Sequence, residues 1–370
     1  ALVADYSYQD MDSWFGATKY LAGQHSSFFN LLYQNEINES HKFTLGLNGT
    51  YDVYNEDFLR QMLDMKDFVV EDTANGRTDL ANAGVFGEYT FKSGDKFSAI
   101  AGLRGDWFYG QGFKVSPRVT LKYMPIDEIV IRANGGRGLR YSTPLVDNIG
   151  VFSTGKEFVG AYGDHILEDA WTFGGNLTYY LPFGASSNTY LSFDYFRTQF
   201  AQQMIVDYEH LTNAIDFYAL DGNRSYTDNY QLDFSVDPVE RFNITVTCRY
   251  TNAMIELAGQ GLVEKPMTSR FKGVLNMQYA TNLNKWIFDF TASLNGSCRV
   301  YNFMADLKDA SGNLIYKDGR TPVYPLLYGQ VTRRFKGWDV YAGVENLTNF
   351  RQKDVILGYQ RNDAGHVIPE

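Results

Sequence analysis

Side chains that could ligate a metal or attack a substrate are few in this sequence and widely scattered. The five histidines are His25, His41, His165, His210 and His366. None belongs to an H-E-x-x-H segment, which sets two imidazoles one helical turn apart around zinc. The two cysteines, Cys248 and Cys298, form no C-x-x-C clip. Asp221-Gly222-Asn223 resembles the start of a calcium loop, but the remaining oxygen ligands are missing, so it reads first as a plain turn. An esterase or protease needs a nucleophile, a histidine and a carboxylate on neighbouring elements, and no such trio stands out. The expectation is therefore no catalytic residue, no metal site and no cofactor. Any chemistry is that of binding, and the question becomes what elements would position binding groups.

The stretch His41 to Tyr54 answers most of that question. Phe43, Leu45, Leu47, Gly49, Tyr51 and Val53 alternate with Thr44, Gly46, Asn48, Thr50 and Asp52. Successive side chains of a strand point to opposite faces, so one face is apolar and the other polar. The pattern persists to about the length at which a tilted strand crosses a bilayer. Composition agrees with an all-β chain. Aromatic residues make up 16% and glycine counts 34, against 9 prolines. No run of about eighteen apolar residues is present, so a helical span is excluded. A net charge of −10, with no strongly basic stretch, argues against nucleic acid as a partner. The N-terminus lacks the basic and apolar regions of a signal peptide. The chain starts and stops inside patterned segments, so a piece of a longer precursor is expected.

In chain order, residues 1–24 are weakly patterned. Strands are expected over about Ser26–Ile37, His41–Tyr54, Leu80–Phe91, Phe97–Tyr109, Val115–Tyr123 and Ile129–Arg140. Further strands are expected over Trp171–Tyr179, Tyr190–Gln203, Arg224–Val236, Phe242–Tyr250, Ser269–Tyr279, Trp286–Arg299, Tyr324–Phe335 and Trp338–Phe350. Long loops fall at 56–78 (with a short helix around Phe58–Met65), 142–164, 204–223 (with a strand extension at Ile215–Leu220), 257–265 and 301–323. Arg351–Glu370 is patternless and polar. The count is about fourteen strands in seven hairpins, short turns alternating with long loops except at Gly110–Gly112. A soluble sandwich, the β-lectin alternative, has no reason to segregate loop lengths to opposite ends. An outer-membrane barrel does.

The face assignment follows from charge and aromatics. Arg104, Asp106, Arg118, Lys122, Arg249, Arg270, Lys272 and Asp289 all fall on the polar parity, where a watery lumen removes the cost of a charge in lipid. Phe91, Phe97, Tyr123, Tyr179, Tyr180, Phe183, Tyr190, Phe242, Tyr279, Trp286, Phe335 and Trp338 bracket the short turns, as an interfacial girdle does. Cys248 and Cys298 are expected as free thiols on outward strand positions with one strand between them, too far apart to bridge.

Several segments resemble TonB-dependent outer-membrane receptors. Ala342-Gly343-Val344-Glu345-Asn346-Leu347-Thr348-Asn349 is similar to the family's last strands. Val115-Ser116-Pro117-Arg118-Val119-Thr120-Leu121-Lys122-Tyr123 resembles its S-P-R-x-x-x-x-Y strand. Gly136-Arg137-Gly138-Leu139-Arg140-Tyr141-Ser142-Thr143-Pro144 resembles its G-x-R-x-P loop entry, and Glu168 fits the start of the strand that follows. The resemblance implies a transmembrane antiparallel β-barrel of about 22 strands, of which residues 1–370 would carry about fourteen as a single partial domain. The N-terminal plug, the first strands and the closing strand would lie elsewhere.

The resemblance also implies a function: active import of a scarce solute, such as a metal chelate or siderophore or a corrinoid, across the outer membrane of a Gram-negative bacterium. Implied partners are the lipid bilayer, the small-molecule solute and, through the missing plug, the TonB energy-coupling complex. A passive porin, a glycan importer of the same barrel type and an outer-membrane enzyme remain as alternatives. Haem is disfavoured, because residues 145–164 lack histidine where the family's haem importers carry one, and His165 comes late. Such receptors bind solute with loop and upper-lumen groups. The candidates here are Arg140, Tyr141, Asp147, Asn148, His165, Tyr208 and Tyr316.

Overall fold

The structure, a computed structural model, describes the chain outside residues 16–17, 62–69, 73–75, 155, 187–188, 212, 223, 309–310, 352–359, 362–366 and 369–370. One sheet holds 19 strands. They are β1 (Leu2–Phe15), β2 (Thr18–Asn38), β3 (His41–Gln61), β4 (Val70–Asp72), β5 (Gly76–Ser93), β6 (Phe97–Phe108), β7 (Gly112–Ile126), β8 (Ile129–Tyr141), β9 (Glu157–Gly160) and β10 (Leu167–Tyr180). After these come β11 (Tyr190–Asp207), β12 (Ala214–Asp221), β13 (Tyr226–Val239), β14 (Phe242–Leu257), β15 (Gly261–Glu264), β16 (Phe271–Ala280), β17 (Trp286–Asn295), β18 (Tyr324–Arg334) and β19 (Asp339–Val344). The long strands form an antiparallel meander in which each pairs with the next. The short β4, β9, β12 and β15 extend it at the long-loop end, where β9 and β12 pair in parallel. Among the described residues β1 and β19 each have one neighbour, which leaves a free edge on each.

The two faces differ as the alternation demands. On β3 the outward Leu45, Leu47 and Tyr51 are 52%, 48% and 44% exposed, whereas Asn48 on the other parity is buried. Leu103, Val119, Phe173, Leu177, Leu232 and Val331 continue the exposed apolar row around the sheet. In water such a surface would cost about 25 cal/mol for each Å² left wet; in lipid it costs nothing. The opposite face is a polar wall. One register row runs Ser98, Lys122, Arg132, Asn176, Asp194, Gln231, Arg249, Lys272, Asn295 from β6 to β17. Neighbouring strands are tied along such rows by hydrogen bonds such as Arg132 to Asn176 at 3.0 Å, Asn276 to Thr291 at 2.8 Å and Gln278 to Asp289 at 2.7 Å.

Exposed aromatics border the apolar band at both ends. Tyr123, Tyr179, Tyr180, Phe183, Tyr279, Trp286, Phe335 and Trp338 ring the short turns. A second belt, which the sequence reading did not identify, lies towards the long loops and includes Trp107, Tyr109, Phe113 and Trp171. Rings of Tyr195, Tyr230 and Tyr250 touch across β11, β13 and β14 in the same belt. The tight hairpin between β6 and β7 sits at this long-loop end, with Gly110 and Gly112 at φ 73° and 78°. That backbone region is open to glycine and strained for other residues.

Several boundaries differ from the sequence-based expectation. Residues 1–24, expected to be weakly patterned, hold β1 and the start of β2. Strands β2 and β3 have 21 residues each, about twice what a tilted strand needs to cross. Their upper parts, and the end of β1 paired with β2, stand clear of the lipid, so Asp10 and Asp12 of β1 and Lys19 of β2 face water and the alternation is lost. For the same reason β3 runs on through Phe58 to Gln61 where a loop and a short helix at Phe58–Met65 were expected; residues 62–65 of that helix lie outside the described residues. Trp338–Phe350 is shortened to β19, which ends at Val344. Cys298 is not on a strand: it lies beyond β17 in an isolated bridge to Ser269. Both cysteines are free thiols. Most of the segment after Arg351 is outside the described residues.

Arginine at Leu47 would sit in lipid and should weaken assembly by about 2–4 kcal/mol, whereas arginine at Thr44 would face the water-filled side. In a heat-modifiability gel Leu47→Arg should lose the fast-migrating folded form and Thr44→Arg should keep it. Equal behaviour of the two would reverse the face assignment.

Candidate functional site

At the long-loop end the segment after β8 folds back over the sheet rather than projecting from it. It begins with short 3-10 turns over Val146–Thr154, kinked at Asn148. Leu145, Val151 and Phe152 are at most 1% exposed and pack with Tyr20 of β2, Phe58 of β3, Met204 of β11 and Ile215 and Phe217 of β12. The Phe152 ring lies 4.5 Å from Tyr20 and 5.5 Å from Phe58. Each such burial is worth about 1.5–3 kcal/mol, so this loop has its own core. The segment then pairs through β9 with β12. Gly160 closes that pair at φ 78°, with the Phe217 carbonyl where a Cβ would stand.

Two ion-pair clusters fasten the other loops. The Glu209 carboxylate is 1% exposed and accepts from Arg299 Nη2 at 2.9 and 3.0 Å and from the Asn302 amide at 2.6 Å. Glu264 at the end of β15 takes Arg270 at 2.8 Å and Arg320 at 2.9 Å. Burial alone would raise the Glu264 carboxyl, but the hydrogen bonds and charges of Arg320 and Arg270 outweigh it and hold it below the usual range. Asp207 is turned inward as a bracket: Oδ1 accepts the Glu209 and His210 amides, and Oδ2 accepts the Tyr218 hydroxyl at 2.9 Å.

Between these loops lies a cavity of about 410 Å³. Arg140 at the top of β8 and Glu168 at the start of β10 form one wall, with Asp147 and Asn148 from the loop. Arg140 bridges the two carboxylates, Nη2 to Asp147 at 3.0 Å and Nε to Glu168 at 2.8 Å. The opposite wall comes from the end of β11 and the turn after it, Asp207, Tyr208 and Glu209, with Lys265 and Tyr301 beside them. The Tyr208 and Tyr301 rings are 4.9 Å apart, and Tyr301 stacks on Phe303. Burial pushes the Tyr208 phenol up to about 12, so it stays protonated. Burial, reinforced by Tyr208 and Glu209, raises Tyr301 further. Lys156 lies over Phe303 at 4.4 Å and donates to the Tyr208 carbonyl at 3.2 Å; burial lowers its ammonium pKa.

Of the candidates named from sequence, Arg140, Asp147, Asn148 and Tyr208 line this one cavity. The other three lie elsewhere. Tyr141 reaches the neighbouring rim, donating to the Tyr109 and Ala81 carbonyls at 2.7 and 3.1 Å. His165 bonds the Ser142 carbonyl at 2.8 Å and stacks on Tyr54. Tyr316 is 3% exposed in a separate small core with Val300, Met304 and Leu307. Sequence reasoning missed Glu168 as a lining group, although it had marked the residue as a strand start, and missed Glu209, Lys265 and Tyr301 altogether. No spacing signals them: Glu209 and Arg299 are 90 residues apart.

The family model described as TonB dependent receptor-like, beta-barrel matches residues 2–347. No curated protein matches the chain. Among solved structures the copper transporter OprC shares 14% identity at a TM-score of 0.68, covering 100% of this chain and 60% of its own. The ferric citrate transporter FecA, in its unliganded form, shares 15% at 0.64, covering 98% and 55%. The ferric enterobactin receptor PfeA of Pseudomonas aeruginosa shares 12% at 0.63, covering 94% and 51%. The chain thus spans about half the length of such structures, and at these identities the likeness is one of fold.

Glu209→Gln removes the charge that balances a largely buried arginine, a loss of about 3–5 kcal/mol for such pairs. Amide hydrogen exchange should quicken at 207–211 and 299–305 and stay unchanged in β5–β7. Glu264 titrates lower folded than unfolded. Its tie is therefore fully present above the ordinary glutamate range and is lost as the pH falls through the folded value. Limited proteolysis at 311–320 should be flat from about pH 7 to 5 and rise below about pH 4.

Proposed function

The chain belongs to the TonB-dependent receptor β-barrel family, and from that premise we propose that it forms the barrel wall and outer cap of an energy-coupled importer of a scarce small solute. Its place is the outer membrane of a Gram-negative bacterium, and family and fold are those of transporters and receptors rather than enzymes. The observation that carries the reading is the cavity between fastened loops at the long-loop end, above a sheet whose other face is polar. Short turns of such barrels face the periplasm and long loops face outside, so the cavity opens towards the medium and the polar wall leads inward. The free edges of β1 and β19 call for further strands, and a plug from the same protein would fill the lumen and meet the TonB energy-coupling complex. Ferric enterobactin, ferric citrate and copper in the names of the structural neighbours support a nutrient that is scarce outside the cell.

Coupled import and passive diffusion differ in their need for energy. In cells whose growth depends on this protein under iron, corrinoid or glycan limitation, accumulation of the limiting nutrient should collapse on adding a protonophore or removing TonB. Accumulation that persists in both, with solute flux through the purified protein in liposomes, would establish a passive channel instead.

A further inference from the structure

The charge balance of the cavity narrows what it can hold. Its lining carries four carboxylates, Asp147, Glu168, Asp207 and Glu209, against two cations, Arg140 and Lys265. Arg140 is already committed to Asp147 and Glu168. Arg299 neutralises Glu209 from behind the wall, and among the described residues Lys265 makes no ion pair; that one ammonium is the lining's uncommitted cation, too little for a solute of several negative charges. At an effective dielectric of about 20, each like-charge pair about 4 Å apart costs about 4 kcal/mol.

The groups left over for a ligand are neutral. The Tyr208 and Tyr301 hydroxyls have no hydrogen-bond partner among the described residues, and neither is a sealed unsatisfied atom. Both phenols stay protonated, so each can donate to an oxygen or accept from a hydroxyl. Their rings, continued by Phe303, add an apolar surface at the same wall. The Glu209–Arg299 and Asp207–Tyr218 contacts hold that wall in place without spending the phenols.

We propose that this cavity selects an electroneutral, oxygen-rich solute, which the phenols of Tyr208 and Tyr301 and the ammonium of Lys265 hold by hydrogen bonds, and that it rejects polyanionic chelates. The proposal rests on the import reading only for the direction of transport; selectivity of binding is a separate property of the cavity. An uncharged oligosaccharide and a neutral ferric trihydroxamate share this chemistry. A cavity of about 410 Å³ engages part of either one.

The test uses the native outer-membrane protein carrying this chain, purified in detergent, with binding read by calorimetry and tryptophan fluorescence. The probes are maltohexaose, a neutral ferric trihydroxamate and ferric citrate. One of the two neutral probes should bind at least tenfold more tightly than ferric citrate, and which one does so identifies the source. Tyr208→Phe and Tyr301→Phe keep both rings and remove one hydroxyl each. Each should weaken the neutral probe by about tenfold while leaving the heat-modifiable folded form intact. Ferric citrate binding as tightly as the neutral probes, no effect of either substitution, or no binding of any probe would overturn the proposal. Binding of a neutral probe without energy-dependent uptake would leave it standing and remove the import reading instead.

Discussion

Everything in this chain follows from the absence of water in the bilayer core. A backbone amide or carbonyl left unpaired there costs several kcal/mol, so each long strand must give its hydrogen bonds to its neighbours, and an antiparallel meander is the cheapest way to do so with short turns. The same constraint sets the side chains. One parity must be apolar because it meets hydrocarbon, and charges are allowed only on the other. The pattern of Leu45 and Leu47 against Thr44 and Asn48 is that rule written along one strand.

Outside the bilayer the rule relaxes, and a different one takes over. A loop exposed to water can leave its backbone solvated, yet several loops here are fastened down. The segment after β8 has an aromatic core around Phe152, built with the parts of β2 and β3 that rise beyond the lipid. The long β2–β3 hairpin thus serves as a buttress for the loop as well as wall. Glu209 and Glu264 fasten the remaining loops through arginines. Such pairs add little net stability over apolar packing, but removing one partner is costly. They therefore fix which loop arrangement is adopted more than how stable it is, and the cavity between the loops keeps its shape through that arrangement.

The fastening also explains the chemistry left in the cavity. Arg140 and the carboxylates are paired with one another, with Arg299, with the Tyr218 hydroxyl or with backbone amides, so the polar groups left uncommitted are mostly phenols. Polar groups in the loops are numerous; free polar groups are few. A list of charged loop residues overstates the electrostatics of the site, because most of those charges are structural.

The sequence by itself determined the strands, their faces and the end at which the long loops gather. These are local properties: alternation has a period of two residues, and turn chemistry spans four. It was silent where a strand leaves the lipid, as in residues 10–24 and 56–61, since a strand with water on both sides has no reason to alternate. It was silent too on the cavity. Arg140, Asp147, Asn148 and Tyr208 were nameable as loop residues, but Tyr141, His165 and Tyr316 were equally so, and their places at the rim, on Tyr54 and in a small core could not be distinguished. Only the tertiary structure decided which of them meet. A loop contact such as Glu209 with Arg299 depends on the paths of two chain segments far apart in sequence, and no local pattern encodes those paths.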